Sequence, residues 1–225
     1  MADPERVFPE AGLAYRIRRP PAAADRGVLL LHGLGGDEDV MWVFERVLPE
    51  GWIAVAPRGP FAAAEGGWSW TRAGKEHLST LPEFNLAVEG LRFLLAGMRT
   101  DLGVREDTWV WMGFSQGAAL AFAAAFASGI RPAGVVSLSG FLPEGFEAEA
   151  LERRGQVPVY WGHGTQDDQV PVERARRDVA RLREAGLDVT YCESDVGHKL
   201  GADCLRGLKA WFARDGAAPK PKSES

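Results

Sequence analysis

Cysteine and histidine are scarce in this chain of 225 residues, which contains two cysteines and four histidines. The cysteines, Cys192 and Cys204, form no Cys-x-x-Cys pair and lie far from the other motifs described below. No secretory signal accompanies them. We therefore expect two reduced thiols, which is the usual state of cysteine in the cytoplasm.

Features of membrane proteins and of nucleic-acid-binding proteins are also missing. Residues 1–12, MADPERVFPEAG, lack the basic and apolar regions of a signal peptide, and no apolar run approaches the ~20 residues of a membrane span. The formal net charge of −5 argues against a nucleic-acid partner, whose phosphates would call for a basic face, and the arginines are scattered among acids. We expect a cytoplasmic protein with no stable membrane insertion and no nucleic-acid partner.

Short apolar segments alternate with longer segments of helical spacing along most of the chain. A continuous apolar run such as GVLLLHG (27–33) is typical of a strand buried on both faces. Residues 82–103 instead carry apolar side chains at helical spacing, and Pro82 suits a first helical turn. This alternation predicts one α/β domain over residues 1–215, with a mostly parallel central sheet and helices on both faces. The polar, proline-containing residues 216–225 are expected to be disordered.

The remaining predicted elements complete this alternation. The segment VFPEAGLAYRIRR (7–19) predicts a leading hairpin with its turn at Glu10, Ala11 and Gly12. Further strands are predicted at GWIAVAPRG (51–59), TWVWMGF (108–114), AGVVSLSG (133–140), VPVYWGHG (157–164) and LDVTYCES (187–194), and further helices at about 116–128, 172–185 and 199–213.

The stretch GFSQG (113–117) lies where a predicted strand gives way to an alanine-rich predicted helix. It fits G-x-S-x-G, the pattern of a nucleophile elbow, in which a tight strand-to-helix turn exposes a serine hydroxyl. Side chains at Gly113 and Gly117 would collide with neighbouring backbone in such a turn. Alternatively, the glycines only mark a tight connection. The flanking strand and helix favour the elbow, with Ser115 as the nucleophile.

A serine nucleophile needs a positioned base, which in this architecture follows the serine and the acid along the chain. Only His163 and His198 follow Ser115. His163 precedes the acids of its own loop, whereas His198 follows them and begins a predicted helix. His198 is therefore the predicted base; the alternative is a structural histidine on a loop.

Two backbone donors are predicted to form an oxyanion hole. One is the N–H of Gln116, the residue after the nucleophile; the other belongs to the loop HGLGG (32–36), where we place Leu34. A glycine-rich loop can instead cradle a phosphate, but HGLGG matches neither G-x-G-x-x-G nor G-x-x-x-x-G-K-[ST]. The loop therefore favours an oxyanion over a phosphate.

Five stretches in this order resemble the phospholipase/carboxylesterase family of α/β hydrolases, over about residues 13–213. They are LLLHGLGGDED, APRGPFAAAEGGWSW, GFSQGAAL, WGHGTQDDQVP and VGHKL. The resemblance implies an α/β-hydrolase fold and a Ser-His-Asp esterase or thioesterase without a cofactor. The family pattern H-G-x-x-D-x-x-V-P places the catalytic acid at Asp167. The stretch RAGKEHLST (72–80) departs from the family pattern and leaves the specificity for acyl chain and leaving group open.

The resemblance also implies the substrate class: carboxylic esters of short to medium acyl chain, acyl thioesters or lysophospholipids, cleaved through an acyl-enzyme. Phe61, Trp68 and Trp70 either form an apolar wall for an acyl chain or only pack a long loop onto the protein. His77 is expected to be an exposed loop residue. Asp167 and Asp168 are adjacent, but no His or Cys lies at a spacing that would complete a metal site, so no metal is expected.

Two other functions stay open at this point. The first is a hydrolase-like protein that binds a small ligand or a protein without turning it over; such proteins usually lack a member of the triad. The second is a hydrolase acting on another bond, such as a C–C bond or a lactone. The dienelactone type has Cys at the position of Ser115, which argues against it. The sequence leaves the oligomeric state open between a monomer and a homodimer.

Overall fold

The computed structural model describes residues 4–9, 12–72, 79–127, 129–147 and 157–214. Three predictions concern residues outside these ranges: the turn at Glu10 and Ala11, the exposure of His77, and the disorder of 216–225.

The strands follow the predicted order closely. In chain order they are β1 (Glu5–Val7), β2 (Tyr15–Arg18), β3 (Gly27–Leu31), β4 (Ile53–Pro57), β5 (Phe61–Ala62), β6 (Trp68–Ser69), β7 (Trp109–Phe114), β8 (Gly134–Leu138), β9 (Val159–Gly164) and β10 (Val189–Ser194). Eight of them form one sheet in the order β1-β2-β4-β3-β7-β8-β9-β10, while β5 and β6 form a separate antiparallel pair. Within the eight-stranded sheet, the pairings that run from β4 through β3, β7, β8 and β9 to β10 are parallel. Strand β2 pairs antiparallel with β1, as a hairpin, and with β4. The predicted hairpin and mostly parallel sheet are confirmed.

The central strands are buried on both faces, which explains their continuous apolar sequences. Every residue of β3 and of β4 is buried. Leu29 and Leu31 belong to one apolar cluster of the core, whereas Val28 and Leu30 belong to the other. Because successive side chains of a strand point to opposite faces, a strand covered on both faces is apolar at every position.

Helices cover the two faces. The α-helices are α1 (Asn85–Leu102), α2 (Gln116–Ala127), α3 (Val172–Glu184) and α4 (Ala202–Arg214), and 3-10 helices span Val40–Val47, Leu81–Phe84 and Glu106–Thr108. Buried residues of α1, α2 and α3 join one cluster, and those of α4 join the other together with the 3-10 helix Val40–Val47. That 3-10 helix was not predicted. None of the described helices is long and apolar enough to cross a membrane.

The two cysteines form a disulfide, so the prediction of two reduced thiols is wrong. Cys192 lies in β10 and Cys204 lies in the first turn of α4. Because α4 packs against β10, these residues, 12 apart in the chain, have Cα atoms only 5.6 Å apart. Their proximity results from the return of the chain onto its own strand, which the spacing of the cysteines in the sequence does not reveal.

Candidate active site

Ser115 occupies the turn between β7 and α2, with a φ of 51° in the left-handed region that residues other than glycine rarely adopt. A Cβ on Gly113 would lie 2.2 Å from the carbonyl carbon of Gly117, and a Cβ on Gly117 would lie 2.1 Å from the carbonyl oxygen of Leu31. Both distances are too short for a side chain, so the predicted reason for the two glycines is confirmed. The backbone thus places Ser115 at the carboxyl end of β7 in the geometry of a nucleophile elbow.

His198 and Asp167 are joined by a hydrogen bond between Nδ1 of the imidazole and Oδ2 of the carboxylate, at 2.7 Å. The other carboxylate oxygen accepts the backbone N–H groups of Gln169 at 3.0 Å and of Val170 at 2.9 Å. Asp167 is buried, whereas Asp168 is exposed. The structure therefore brings Asp167, rather than its neighbour, to the histidine.

The position of His198 leaves one of its ring nitrogens able to accept a proton. A neutral imidazole that donates its Nδ1–H to a carboxylate has its lone pair at Nε2. The ring centroid of His198 lies 4.9 Å from that of Phe114, the residue before Ser115. Residues 195–201, which we call the base loop, are fastened by Asp195, whose carboxylate accepts a hydrogen bond from Nε2 of Gln166 at 2.8 Å.

His163 is a second histidine near the acid, with no role predicted from the sequence. Its Nε2–H donates to the carbonyl of Val170 at 2.8 Å and lies 3.5 Å from Oδ2 of Asp167. Burial lowers the pKa of His163, and its side chain has no exposed surface. A fully enclosed ring cannot reach a substrate. The position of His163 four residues before Asp167 was the available signal that it packs beside the acid.

The loop of residues 32–36, which we call the oxyanion loop, is anchored by His32. This histidine is fully buried; its Nδ1–H donates to the carbonyl of Gly33 at 2.7 Å, and its Nε2 accepts the N–H of Gly59 at 2.9 Å. Burial lowers the pKa of His32 to about 4, so the ring is neutral at pH 7. In the sequence, His32 is recognisable only as part of the motif HGLGG, and its anchoring role depends on the distant residue Gly59.

A short ladder of backbone hydrogen bonds ties the oxyanion loop to Trp68. The N–H of Gly35 donates to the carbonyl of Trp68, and the N–H of Trp68 donates to the carbonyl of Gly36, each at 2.9 Å. Leu34, the predicted donor, lies at the tip of this loop and is half-buried. Gln116, which carries the other predicted donor, is the first residue of α2, so its N–H has no acceptor within the helix.

A cavity of about 410 Å³ opens beside the oxyanion loop. Its lining combines small apolar side chains with two hydroxyls and two charged residues. The lining residues are Leu34, Gly35, Ala62, Ala63, Ala64, Glu65, Gly66, Ser69, Thr71 and Arg72. Within the described ranges, no group of three or more His, Cys, Asp or Glu side chains could hold a metal ion.

The three aromatic residues predicted for a substrate pocket occupy different environments. Trp70 has no exposed surface and belongs to the core, which corrects its assignment as a pocket wall in favour of packing. Phe61 is half-buried with its ring 4.5 Å below the guanidinium of Arg72, which does line the cavity. The ring of Trp68 lies 4.3 Å from the guanidinium of Arg58.

Comparison with known proteins gives one consistent family. A family model described as phospholipase/carboxylesterase matches residues 14–213. Acyl-protein thioesterase 1 of Kluyveromyces lactis is 29% identical over 177 residues, which are 71% of this chain and 77% of that protein. Lysophospholipase-like protein 1 of Mus musculus is 26% identical over 167 residues, which are 70% of each protein.

Solved structures share the same architecture. Esterase PE8 superposes with a TM-score of 0.80 at 25% identity, covering 91% of this chain and 100% of that one. The carboxylesterase from Mesorhizobium loti has a TM-score of 0.79 at 17% identity, covering 95% of this chain and 100% of that one, and shows the fold alone. The predicted α/β-hydrolase fold is confirmed. With its elbow, its histidine–aspartate pair and a family model that spans most of its length, the chain belongs to the phospholipase/carboxylesterase family of hydrolases.

Proposed function

We propose that the chain hydrolyses carboxylic esters with a triad formed by Ser115, His198 and Asp167. The observation that carries this proposal is the 2.7 Å hydrogen bond between His198 and Asp167, located at the sheet edge where Ser115 occupies its strained turn. All three residues follow the carboxyl ends of parallel strands, where active sites of open α/β sheets form. A base oriented by a buried carboxylate is what a serine needs to act as a nucleophile at neutral pH.

The first half of the reaction forms an acyl-enzyme. Oγ of Ser115 attacks the carbonyl carbon of the ester while Nε2 of His198 accepts the hydroxyl proton. Asp167 holds the imidazole in the Nδ1–H tautomer and stabilises the imidazolium ion that forms. When the tetrahedral intermediate collapses, the imidazolium donates its proton to the leaving alcohol or thiol.

The negative charge of the tetrahedral intermediate is held by backbone donors. The N–H groups of Gly35 and Gly36 are engaged by Trp68 and Gly33, so we assign the role in the oxyanion loop to the N–H of Leu34. The N–H of Gln116 is the second donor. Donors fixed before the reaction stabilise the developing charge without reorganising, which is usually a large contribution to catalysis.

The second half of the reaction returns the free enzyme. A water molecule loses a proton to Nε2 of His198 and attacks the acyl carbon through the same oxyanion-binding donors. The carboxylic acid leaves and Ser115 recovers its proton from the imidazolium. No cofactor enters this sequence, since every proton transfer uses His198.

The substrates that we propose are esters of short to medium acyl chain, with acyl thioesters and lysophospholipids as related classes. Relatives named for thioesters and lysophospholipids support this range, as does the family model. The cavity of about 410 Å³ beside Leu34 has room for a short chain, and three consecutive alanines supply its apolar surface.

The proposal is tested by labelling with a fluorophosphonate, which reacts covalently with activated serines. We expect stoichiometric labelling of Ser115, located by peptide mass spectrometry. In Ser115→Ala, both labelling and hydrolysis of p-nitrophenyl butyrate should be lost, with kcat reduced on the order of 10⁶-fold. Ser139→Ala is the matched control, because Ser139 is the other non-glycine residue of positive φ, at 46°, among the described residues.

The outcomes separate the possible functions. An enzyme gives labelling and turnover that both depend on Ser115 and survive in Ser139→Ala. A non-catalytic binding protein gives neither labelling nor turnover with a panel of esters from acetate to octanoate. If Ser115→Ala keeps a tenth of the wild-type turnover, the proposed mechanism is wrong.

A further inference from the structure

Residues 68–71, which we call the strap, run between the oxyanion loop and the nucleophile elbow. On the side of the oxyanion loop, the backbone of Trp68 forms the two hydrogen bonds with Gly35 and Gly36. The indole N–H of Trp70 adds a third, to the carbonyl of His32 at 2.7 Å. The strap is therefore fixed to both ends of the oxyanion loop.

On the side of the elbow, the strap is held by the side chain of Gln116. Its Oε1 accepts the backbone N–H of Trp70 at 3.1 Å, and its Nε2 donates to Oγ of Ser69 and to Oγ1 of Thr71, each at 3.2 Å. The hydroxyl of Ser69 in turn donates to the carbonyl of Thr71 at 2.8 Å. Gln116 is buried, with 6% of its surface exposed, so these bonds form away from solvent.

These contacts connect the two halves of the oxyanion hole through four residues. One donor is the N–H of Gln116 itself; the other, on Leu34, lies in the loop to which the strap is fastened. The parallel pairing of β3 with β7 brings the start of the loop beside the elbow and ends at Leu31 and Gly113. Beyond that pairing, the strap links the loop to Gln116. The carboxamide of Gln116 joins the strap to the elbow at three consecutive residues, Ser69, Trp70 and Thr71.

We propose that Gln116 is a positioning residue, whose side chain helps to set the distance between the two oxyanion donors by holding the strap, in addition to the pairing of β3 with β7. This inference rests on the proposed function, because it assumes that Leu34 and Gln116 bind the oxyanion. The backbone N–H of Gln116 is present whatever its side chain, so the side chain acts only through the strap. Ser69 and Thr71 also line the cavity beside Leu34, so the same strap connects the substrate cavity to the oxyanion hole.

The first experiment uses Gln116→Met, which preserves the length of the side chain and removes its hydrogen bonds. A displaced donor weakens binding of the transition state and leaves binding of the uncharged ester almost intact, because the oxyanion exists only after attack. We expect kcat for p-nitrophenyl acetate to fall about 10- to 100-fold, with KM changed less than about threefold. The affinity for phenylboronic acid, which becomes tetrahedral when it binds a catalytic serine, should fall by a similar factor.

Asp178→Ala is the control for a loss of stability. Asp178 is also buried and also fastens one segment to another, because its carboxylate accepts the N–H of Leu142 at 2.9 Å. It lies on α3, outside the proposed machinery. We expect this variant to melt at a lower temperature and to retain its kcat. An equal fall of kcat in both variants at equal loss of melting temperature would overturn the proposal.

The second experiment uses the pH dependence of Gln116→Glu. An ionised carboxylate cannot donate to Ser69 or Thr71 and adds negative charge next to the oxyanion; a protonated carboxyl group regains one donor and loses the charge. The ratio of kcat/KM between this variant and the wild type should therefore rise as the pH falls from 8 to 5. The corresponding ratio for Gln116→Met should stay flat. A flat ratio for Gln116→Glu as well would show that neither charge nor donors at this position act on the oxyanion, and would contradict the proposal.

The results distinguish this inference from the proposed function. If Ser115 of Gln116→Met is still labelled to completion by the fluorophosphonate but kcat and KM equal those of the wild type, the positioning role is wrong and the triad stands. If Ser115 of the wild type is not labelled, the proposed function itself fails. If Gln116→Met does not fold, the variant Thr71→Val is used, because it removes one of the strap's hydrogen bonds to the carboxamide. We expect a smaller fall of kcat in this variant, again at constant KM.

Discussion

Oδ2 of Asp167 lies 2.7 Å from Nδ1 of His198, while Oδ1 of the same carboxylate is fixed by the backbone of the loop that follows it. One oxygen thus orients the imidazole and the other anchors the acid. The carboxylate is also beside the buried ring of His163, at 3.5 Å. An acid held from three directions gives the histidine one defined tautomer and orientation.

The two adjacent aspartates should respond differently to the same substitution. Replacing a triad acid by Asn can strand the imidazole in the wrong tautomer, with a loss in kcat of up to ~10⁴-fold. We expect Asp167→Asn to lose most of its activity and the exposed Asp168→Asn to keep a substantial part of it. The measurement is kcat/KM of both variants on one ester, after circular dichroism has shown that each is folded. If Asp168→Asn is the more damaged variant, the acid has been misassigned.

Filling the cavity should change the preference for acyl-chain length. Ala63→Phe places a ring in the cavity of about 410 Å³, and a buried methylene group contributes about 0.8 kcal/mol to binding. We expect kcat/KM to fall more for p-nitrophenyl octanoate than for the acetate. Ala96→Phe, on the exposed face of α1, is the control and should leave the ratio unchanged. Equal losses for both esters in Ala63→Phe would show that the acyl chain lies elsewhere.

Replacing Trp70 should affect stability rather than chain-length preference. Its side chain has no exposed surface and packs in the core, so Trp70→Ala should lower the free energy of unfolding by about 3–5 kcal/mol. Chemical denaturation measures this loss. The ratio of activity on octanoate to acetate should stay close to that of the wild type; a selective loss on octanoate would restore Trp70 to the pocket.

Acid should destabilise the fold partly through His32. Burial lowers its folded-state pKa from 6.5 to about 4. Between these two values the unfolded chain binds more protons than the folded protein, so the free energy of unfolding falls as the pH drops from 6.5 to 4. Below about 4 both states are protonated at this residue and its contribution stops changing. His163, whose pKa is also lowered by burial, acts in the same direction.

Urea denaturation at several pH values measures this dependence. The variant His32→Gln has no titrating group at the position and should lose less stability than the wild type between pH 6.5 and 4. The loss of unfolding free energy over this interval should be smaller in the variant than in the wild type by on the order of 3 kcal/mol. Parallel pH profiles for the two proteins over this interval would contradict the assignment.

The disulfide should contribute measurably to stability. Closing a loop of about a dozen residues lowers the conformational entropy of the unfolded chain. The folded state is thereby stabilised by about 3 kcal/mol at 25 °C. We expect the double variant Cys192→Ala, Cys204→Ala to lose stability of that order. Thiol titration of the denatured protein, purified without reductant, should find no free thiol before reduction and two after it. Two free thiols before reduction would restore the original sequence-based prediction.

Much of the fold was predictable from the sequence because its signals are local. Apolar runs such as Gly27–Leu31 identify strands buried on both faces, and their alternation with helical spacing predicts a parallel sheet. The elbow around Ser115 was recognisable for the same reason: its two glycines, its serine and the flanking elements are consecutive in the chain. His198 followed from chain order, and Asp167 followed from the family pattern.

Other features depend on contacts between residues that are distant in the chain, and only the tertiary structure determines them. The carboxamide of Gln116 meets the N–H of Trp70, 46 positions earlier, and the indole of Trp70 meets the carbonyl of His32, 38 positions earlier. The disulfide forms because α4 returns along β10. The sequence by itself determined which elements form and which residues carry reactive groups, since hydrophobic spacing and chain order are local properties. The tertiary structure decided which side chains are buried and what they contact, since that depends on how separate elements pack.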